Sequence, residues 1–415
     1  MNGRSWSVFA LVAALAFAWF AAPASAEDPA QPMDREMQAR RRPKSYLAIF
    51  INGYGGDHLP QDPVQFEKLL QVISREGHFN AILCQYTPER EALCKKHGVL
   101  MVVDLLAYPH VFRNPKECEE LLKTLRSNPT VVAYHLWADR FGKMGQGRAR
   151  DIENVHKWDP THATYIGTYQ DDGIGCLAKS DFVSYYDFSW KRGPHKNFSH
   201  LLSAWNAAKA HDNRLGRYCE TDAGLAGKGN PNRLLYIQTT SIACGLRGAM
   251  WHIGSSLMNM DSLQFNQLGK DLASVNAFIK PMREEIAKIG LPTAIYSTPV
   301  TIDPNHKPID QPDGKKPMPA GLTNNACPAD FWIQPAGGEF VMGVSKYNYT
   351  DKNVVFIANH DAYGEQNVML KLTKTARPKL FNRASGTYEA FDIRMPDGTI
   401  SFKLEPAGGV IVLFD

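Results

Sequence analysis

Tyr46-Leu47-Ala48-Ile49-Phe50-Ile51 runs into Asn52-Gly53-Tyr54-Gly55-Gly56 and then, after a short spacer, into Asp62-Pro63-Val64-Gln65. An apolar run, a glycine-rich turn and a capped helix start in that order spell one strand-turn-helix unit. Its proline takes the first helical position, where no backbone donor is needed. Phe66, Leu69, Leu70 and Ile73 then recur at helical spacing, a single apolar stripe of the kind that lies on a sheet.

The unit recurs along the chain. Phe79 to Cys84 is a second strand, with Thr87-Pro88 opening the next helix. Gly98 to Asp104 is a third, followed by Asn114-Pro115-Lys116-Glu117, which reads as a capping box, and by the stripe Cys118, Leu121, Leu122 and Leu125. Val131 to Trp137, Ala163 to Tyr169, Phe182 to Asp187, Gly216 to Glu220 and Gly248 to Ile253 continue the series. Helices are expected over 146–158, 198–210, 231–246 and 261–289, and the stretch 170–180 is too short and glycine-rich for a full one. Alternating strands and helices imply a parallel sheet, and eight such units over about 250 residues imply a (β/α)8 TIM barrel, placed at 45–290. Beyond Gly290 the texture changes to short runs at turn spacing, from Phe340 to Lys346 through Val410 to Phe414, which predict an antiparallel β-sandwich domain over 291–415.

Before the barrel, Arg4, the apolar stretch Val8 to Ala22 and Ala24-Ser25-Ala26 form the pattern of a cleavable secretory signal at 1–26. A membrane anchor is the rival reading, but the stretch is short and no stop-transfer flank follows. The expected location is therefore secreted or periplasmic, with no membrane span after cleavage at Ala26. Residues 27–44, rich in charge, Gln and Pro, are expected to be a disordered leader. A formal net charge of +4 and the lack of a basic run with interleaved aromatics argue against nucleic acid as partner. The 7 cysteines form no CxxC pair and are odd in number, so a zinc site is not expected and disulfide pairing stays open.

In a barrel of this kind chemistry belongs at the carboxyl ends of the strands, and splitting a glycosidic bond needs two carboxyl groups. The strand-end acids are Asp104, Asp139, Asp171, Asp172, Asp187, Glu220 and Asp222. Sugars present CH faces to aromatic rings, and Tyr54, Tyr86, Tyr108, Trp137, Tyr169, Trp190 and Trp251 stand at or near strand ends. His135 and His252 sit inside strands, where they could hydrogen-bond a sugar, orient a carboxylate or fill the core. No pair has metal-ligand spacing, so no metal or other cofactor is expected. The loops also carry His110, Arg113, Arg140, Lys143, Lys191, Arg192, His195 and Lys196, a cationic rim that would match a sulfated or carboxylated glycan.

Val132-Ala133-Tyr134-His135-Leu136-Trp137-Ala138-Asp139 resembles the fourth-strand segment of secreted bacterial clan-A glycoside hydrolases, in particular β-galactosidase-like ones with Trp-Asp-Glu-Pro there. The likeness extends to Asp159-Pro160-Thr161-His162, to the strand ending at Asp187, to Glu220 and to the stretch from Tyr236 to Trp251. It implies Asp139 as general acid/base and Glu220 as nucleophile, with a retaining outcome if the carboxyls stand about 5–5.5 Å apart and an inverting one if wider. Asp187 is the reserve acid, and Tyr54, Tyr108, His135, Trp137, Trp190, Trp251 and His252 complete the candidate carbohydrate site. An aspartate replaces the family's glutamate, Ala138 its aspartate and Arg140 its proline; the cationic rim suggests an endo-acting hydrolase of sulfated glycans, fucanase type, as one alternative, and the shorter acid with the short 170–180 crossover suggests a catalytically silent glycan-binding barrel as another.

Overall fold

The computed structural model describes residues 41, 43–54, 58–107, 114–137, 145–168, 180–186, 198, 201–202, 205–206, 215–220, 231–298, 326–347, 350–373, 377–391 and 397–415. Eight parallel strands close into a ring: β1 (Leu47–Phe50), β2 (Ala81–Cys84), β3 (Leu100–Asp104), β4 (Val131–Trp137), β5 (Ala163–Thr168), β6 (Phe182–Tyr186), β7 (Leu215–Glu220) and β8 (Gly248–His252). β1 pairs with β2 on one side and with β8 on the other, which leaves the sheet without an edge. This is the expected (β/α)8 barrel.

Strand alternation sorts its apolar residues into two shells. Leu47, Ile49, Ile51, Leu83, Val102 and Met250 point inward, and Ala81, Ala133 and Ala163 leave room for the ring of Tyr165 among them. Phe50, Ile82, Val103, Tyr134, Ile166 and Trp251 face outward into the layer beneath the helices. Those helices begin where the sequence places them. In α1 (Pro63–Arg75) Asp62 accepts from the Gln65 amide at 2.9 Å, and Phe66, Leu69, Leu70 and Ile73 are buried. Burial of each such side chain is worth about 1.5–3 kcal/mol. In α2 (Pro88–His97) Thr87 accepts from the Arg90 amide at 3.1 Å, and Gly98, at φ 64°, ends the helix in the left-handed conformation. For α3 (Pro115–Leu125) the capping box does not form: the Asn114 side chain makes no cap bond to the helix backbone and instead donates to Glu117 Oε1 at 2.5 Å.

Further on come α4 (Gly145–Trp158), α5 (Pro231–Ala243), a hairpin of β9 (Met258–Asn259) and β10 (Gln264–Phe265), and α6 (Gln267–Ile279). The single long helix expected over 261–289 is interrupted. Pro281 lacks the amide a continuing helix needs, so Lys280–Met282 is a 3-10 turn and α7 (Arg283–Lys288) starts afresh.

The remaining strands are antiparallel: β11 (Ala294–Ser297), β12 (Ile333–Gly337), β13 (Phe340–Lys346), β14 (Asn353–Asn359), β15 (Gln366–Leu372), β16 (Pro378–Asn382), β17 (Thr387–Ala390), β18 (Thr399–Leu404) and β19 (Gly409–Phe414). One sheet runs β11-β13-β14-β19-β16-β17 and the other β12-β15-β18. Phe340, Met342, Val355, Ile357, Leu370 and Val412 fill the space between them. The outer face of the larger sheet packs on the barrel through Val341, Val354, Phe356 and Ile411. β14 and β19 are therefore buried on both faces and read as unbroken apolar runs rather than alternating ones. Barrel and sandwich belong to one compact unit.

The junction is α5, in which every residue from Arg233 to Ala243 is buried. Thr239 Oγ1 donates to the carbonyl of Ala407 at 2.9 Å, and Arg233 Nε donates to the Tyr363 hydroxyl at 3.1 Å.

Ahead of β1, Arg41 is held against the barrel. Arg41 is 4% exposed; its Nη1 pairs with Asp181 Oδ1 at 3.3 Å and its Nε donates to the Pro160 carbonyl at 3.1 Å. A buried carboxylate just ahead of β6 thus holds Arg41. Residues 1–40 lie outside the described residues. Among the described residues no helix is long and apolar enough to cross a membrane.

Candidate active site

Because all eight strands run the same way, their last residues share one rim. Asp104 ends β3, Trp137 ends β4, Glu220 ends β7 and His252 ends β8. In register Asp104 stands beside His135, and Glu220 beside His252. β4 and β7 are separated by β5 and β6 along the ring, so Glu220 and the segment leading to Asp139 rise from well-separated strands at the same mouth.

The best-defined chemistry at this mouth is a pair the sequence names separately. His135, on the inward side of β4, places Nδ1 3.1 Å from Asp104 Oδ1, with side-chain exposures of 1% and 3%. The same oxygen accepts from the Leu106 amide at 3.1 Å, which fixes the carboxylate. Tyr54 stacks on the imidazole, ring centres 4.9 Å apart and planes 22° apart, and Tyr165 stands 6.3 Å away at a 49° tilt. The Tyr54 hydroxyl points to Met250 Sδ at 3.9 Å.

Tyr54 is positioned by its own loop. Asn52 Oδ1 accepts from the Ser255 amide at 2.8 Å, its Nδ2 donates to the His58 carbonyl at 2.5 Å, and the Gly254 amide donates to Ile51 O at 2.6 Å. These bonds tie the turn after β1 to the turn after β8. Gly53, at φ 144°, makes that turn possible: a Cβ there would stand 2.3 Å from the His58 ring.

Of the expected carbohydrate-binding residues, Tyr54 and His135 come together. Trp251 does not join them. It occupies the outward side of β8, is 1% exposed and packs in the layer under the helices, and its Nε1 has no hydrogen-bond partner among the described residues. Met250, one position earlier, takes the inward place. Tyr86 likewise serves the outer layer: its hydroxyl donates to Glu91 Oε2 at 3.1 Å, and burial, then the Glu91 carboxylate, push its phenol up from the usual range. Trp137, Glu220 and His252 are placed by backbone alone. Tyr108, Asp139, Asp187, Trp190 and every residue of the cationic rim lie outside the described residues.

Asp104 is the residue undervalued from sequence. Its signal in the sequence is an acid closing strand three; that His135 stands beside it comes from the register of β3 and β4. Cys94, Cys118 and Cys327 are in no disulfide, and burial pushes the Cys118 thiol up to about 12, which makes it inert as a nucleophile. Among the described residues no group of three or more His, Cys, Asp or Glu could hold a metal ion.

No family model and no curated protein matches the chain. Among solved structures it is similar to an endo-β-1,4-mannanase of Thermotoga petrophila, at 10% identity and TM-score 0.40, over 87% of this chain and 91% of that one. It is similar also to a family 51 α-L-arabinofuranosidase of Bifidobacterium longum, at 10% identity and TM-score 0.43, over 90% and 96%. A β-L-arabinopyranosidase of Geobacillus stearothermophilus aligns at 7% identity and TM-score 0.45, over 92% and 99%. Likeness this distant leaves activity to be argued from the chain's own residues.

Proposed function

We propose that this chain is an exported glycoside hydrolase, β-galactosidase-like in its site, acting on a polysaccharide or its fragments through two carboxylates. The observation that carries the reading is the placement of Glu220 as the last residue of β7, on the rim that also carries the segment entering Asp139 after β4. A closed parallel ring directs both segments to one mouth, and glycosidic cleavage needs two acids facing each other across a sugar. Asp139 acts as general acid/base and Glu220 as nucleophile, giving net retention if the carboxyls are about 5–5.5 Å apart. Tyr54, inward and half-buried, supports the reading as a ring against which a sugar face packs. The basic residues of the loop sequences favour an anionic glycan, and Asp187 stands in reserve as acid.

The test is a digestion panel of neutral and sulfated polysaccharides with wild type, Asp139→Asn and Glu220→Gln. Reducing ends should appear from one polymer class with wild type alone, while both variants keep affinity for that polymer. Turnover by Glu220→Gln at the wild-type rate sinks the assignment. A silent glycan-binding barrel would bind one polymer and release nothing from any.

A further inference from the structure

We propose that His135, held by Asp104, takes the proton from the water that attacks the anomeric carbon. This rests on reading the barrel mouth as a glycosidase centre. A carboxylate oxygen can only accept, so at 3.1 Å from Asp104 Oδ1 the Nδ1 of His135 carries the hydrogen, and in the neutral ring the acceptor is then Nε2. Asp104 is itself anchored by the Leu106 amide, and Tyr54 stacks over the ring, so the imidazole is confined to one orientation. A base oriented by a carboxylate and stabilised by it on protonation is the arrangement that proton abstraction requires.

A second buried aspartate–histidine pair in the same barrel supplies the contrast. His162 gives Nδ1 to Asp159 Oδ2 at 2.7 Å and its Nε2 meets the Asn128 carbonyl at 3.0 Å, so both nitrogens are committed to structure. That pair precedes β5, at the opposite end of the ring from the mouth. His135 has one nitrogen committed, and its Nε2 has no hydrogen-bond partner among the described residues. Of these two pairs, the one at the mouth keeps a ring nitrogen uncommitted.

The step balances as follows. The water oxygen bonds to the anomeric carbon while the bond from that carbon to the Glu220 carboxylate breaks, its electron pair returning to the carboxylate. One water proton passes to His135 Nε2, and the imidazolium releases it to solvent after the sugar leaves.

The experiment uses 4-nitrophenyl glycosides, whose leaving group needs no acid, with wild type, His135→Ala and His135→Asn. Asparagine can still donate to Asp104 but cannot take a proton, so it preserves a structural role and abolishes a catalytic one. Both variants should lose about 10²–10⁴-fold in kcat, show a burst of nitrophenol, and regain turnover in azide with formation of the glycosyl azide, since azide brings no proton to remove. Wild-type turnover by folded His135→Asn, or no recovery in azide, overturns the proposal. Failure of wild type to cleave any polymer or aryl glycoside overturns the glycosidase reading and this step with it; an active wild type with an equally active His135→Asn overturns this step alone.

Discussion

The hydroxyl of Tyr236 lies 2.8 Å from Nδ1 of His360, with the two rings stacked at 10°, and so links the barrel's α5 to the sandwich inside the buried junction. A helix buried on all sides cannot keep its structure when one neighbour is removed. Truncation after residue 290 should therefore yield an insoluble or molten barrel, and the full chain should melt in one calorimetric transition. Tyr236→Phe should lower stability by about 1–2 kcal/mol, read by urea denaturation, because His360 loses a buried partner. Two separated transitions in the wild type would show that the halves stand independently.

The Asp159 cluster predicts an acid limb of stability. Burial alone would raise its carboxyl, but hydrogen bonds from His162, Thr161 and Tyr134 outweigh that and hold it well below the usual carboxylate range. A group depressed in the folded state contributes stability above its unfolded pKa of about 3.9, and that contribution is lost as pH falls toward the folded value. Asp159→Asn should cost about 2–4 kcal/mol near pH 7, and the gap to wild type should narrow below about pH 4. A gap that stays constant from pH 7 to pH 3 would remove the carboxylate's charge from the explanation.

Arg41 tests how far the barrel extends toward the amino terminus. Breaking a buried pair leaves Asp181 with His156 at 2.8 Å but without its guanidinium. Arg41→Ala should therefore destabilise by about 3–5 kcal/mol, read by thermal or urea melting. Equal melting of Arg41→Ala and wild type would mean that the contact is dispensable in solution.

What could be read in the sequence divides along a physical line. Proline beside a capping residue marks helix starts through local chemistry, and Asp62-Pro63 and Thr87-Pro88 behave as written. Asn114-Pro115 starts its helix too, but there two side chains satisfy each other instead of the backbone. β12 is masked in the sequence by Pro335 and Gly337, residues that argue against a strand. Trp251 was misjudged because strand alternation fixes which residue faces the mouth, and inward Met250 settles that only once the ring is closed. His135 is legible in the sequence only as a histidine inside strand four; its inward side and its bond to Asp104 depend on ring closure and on the register between β3 and β4, which are tertiary quantities.

The packing of sandwich on barrel makes one last demand, at Gly343 in β13. A Cβ at that position would stand 1.9 Å from the carbonyl oxygen of Ala243, the last residue of α5, and 2.7 Å from its carbonyl carbon. The obstacle is backbone rather than the end of a flexible side chain, so nothing nearby can rotate aside. Either α5 shifts, disturbing the Tyr236 and Thr239 bonds, or β13 withdraws from β14, with which Gly343 pairs opposite Phe356. Gly343→Ala should thus cost about 1–3 kcal/mol as overpacking. Because α5 leads into β8 and its terminal His252, the variant should also lower turnover on any substrate the wild type cleaves. Thermal melting of Gly343→Ala against wild type checks the first point, and an unchanged midpoint would mean that the junction accommodates a methyl group without strain.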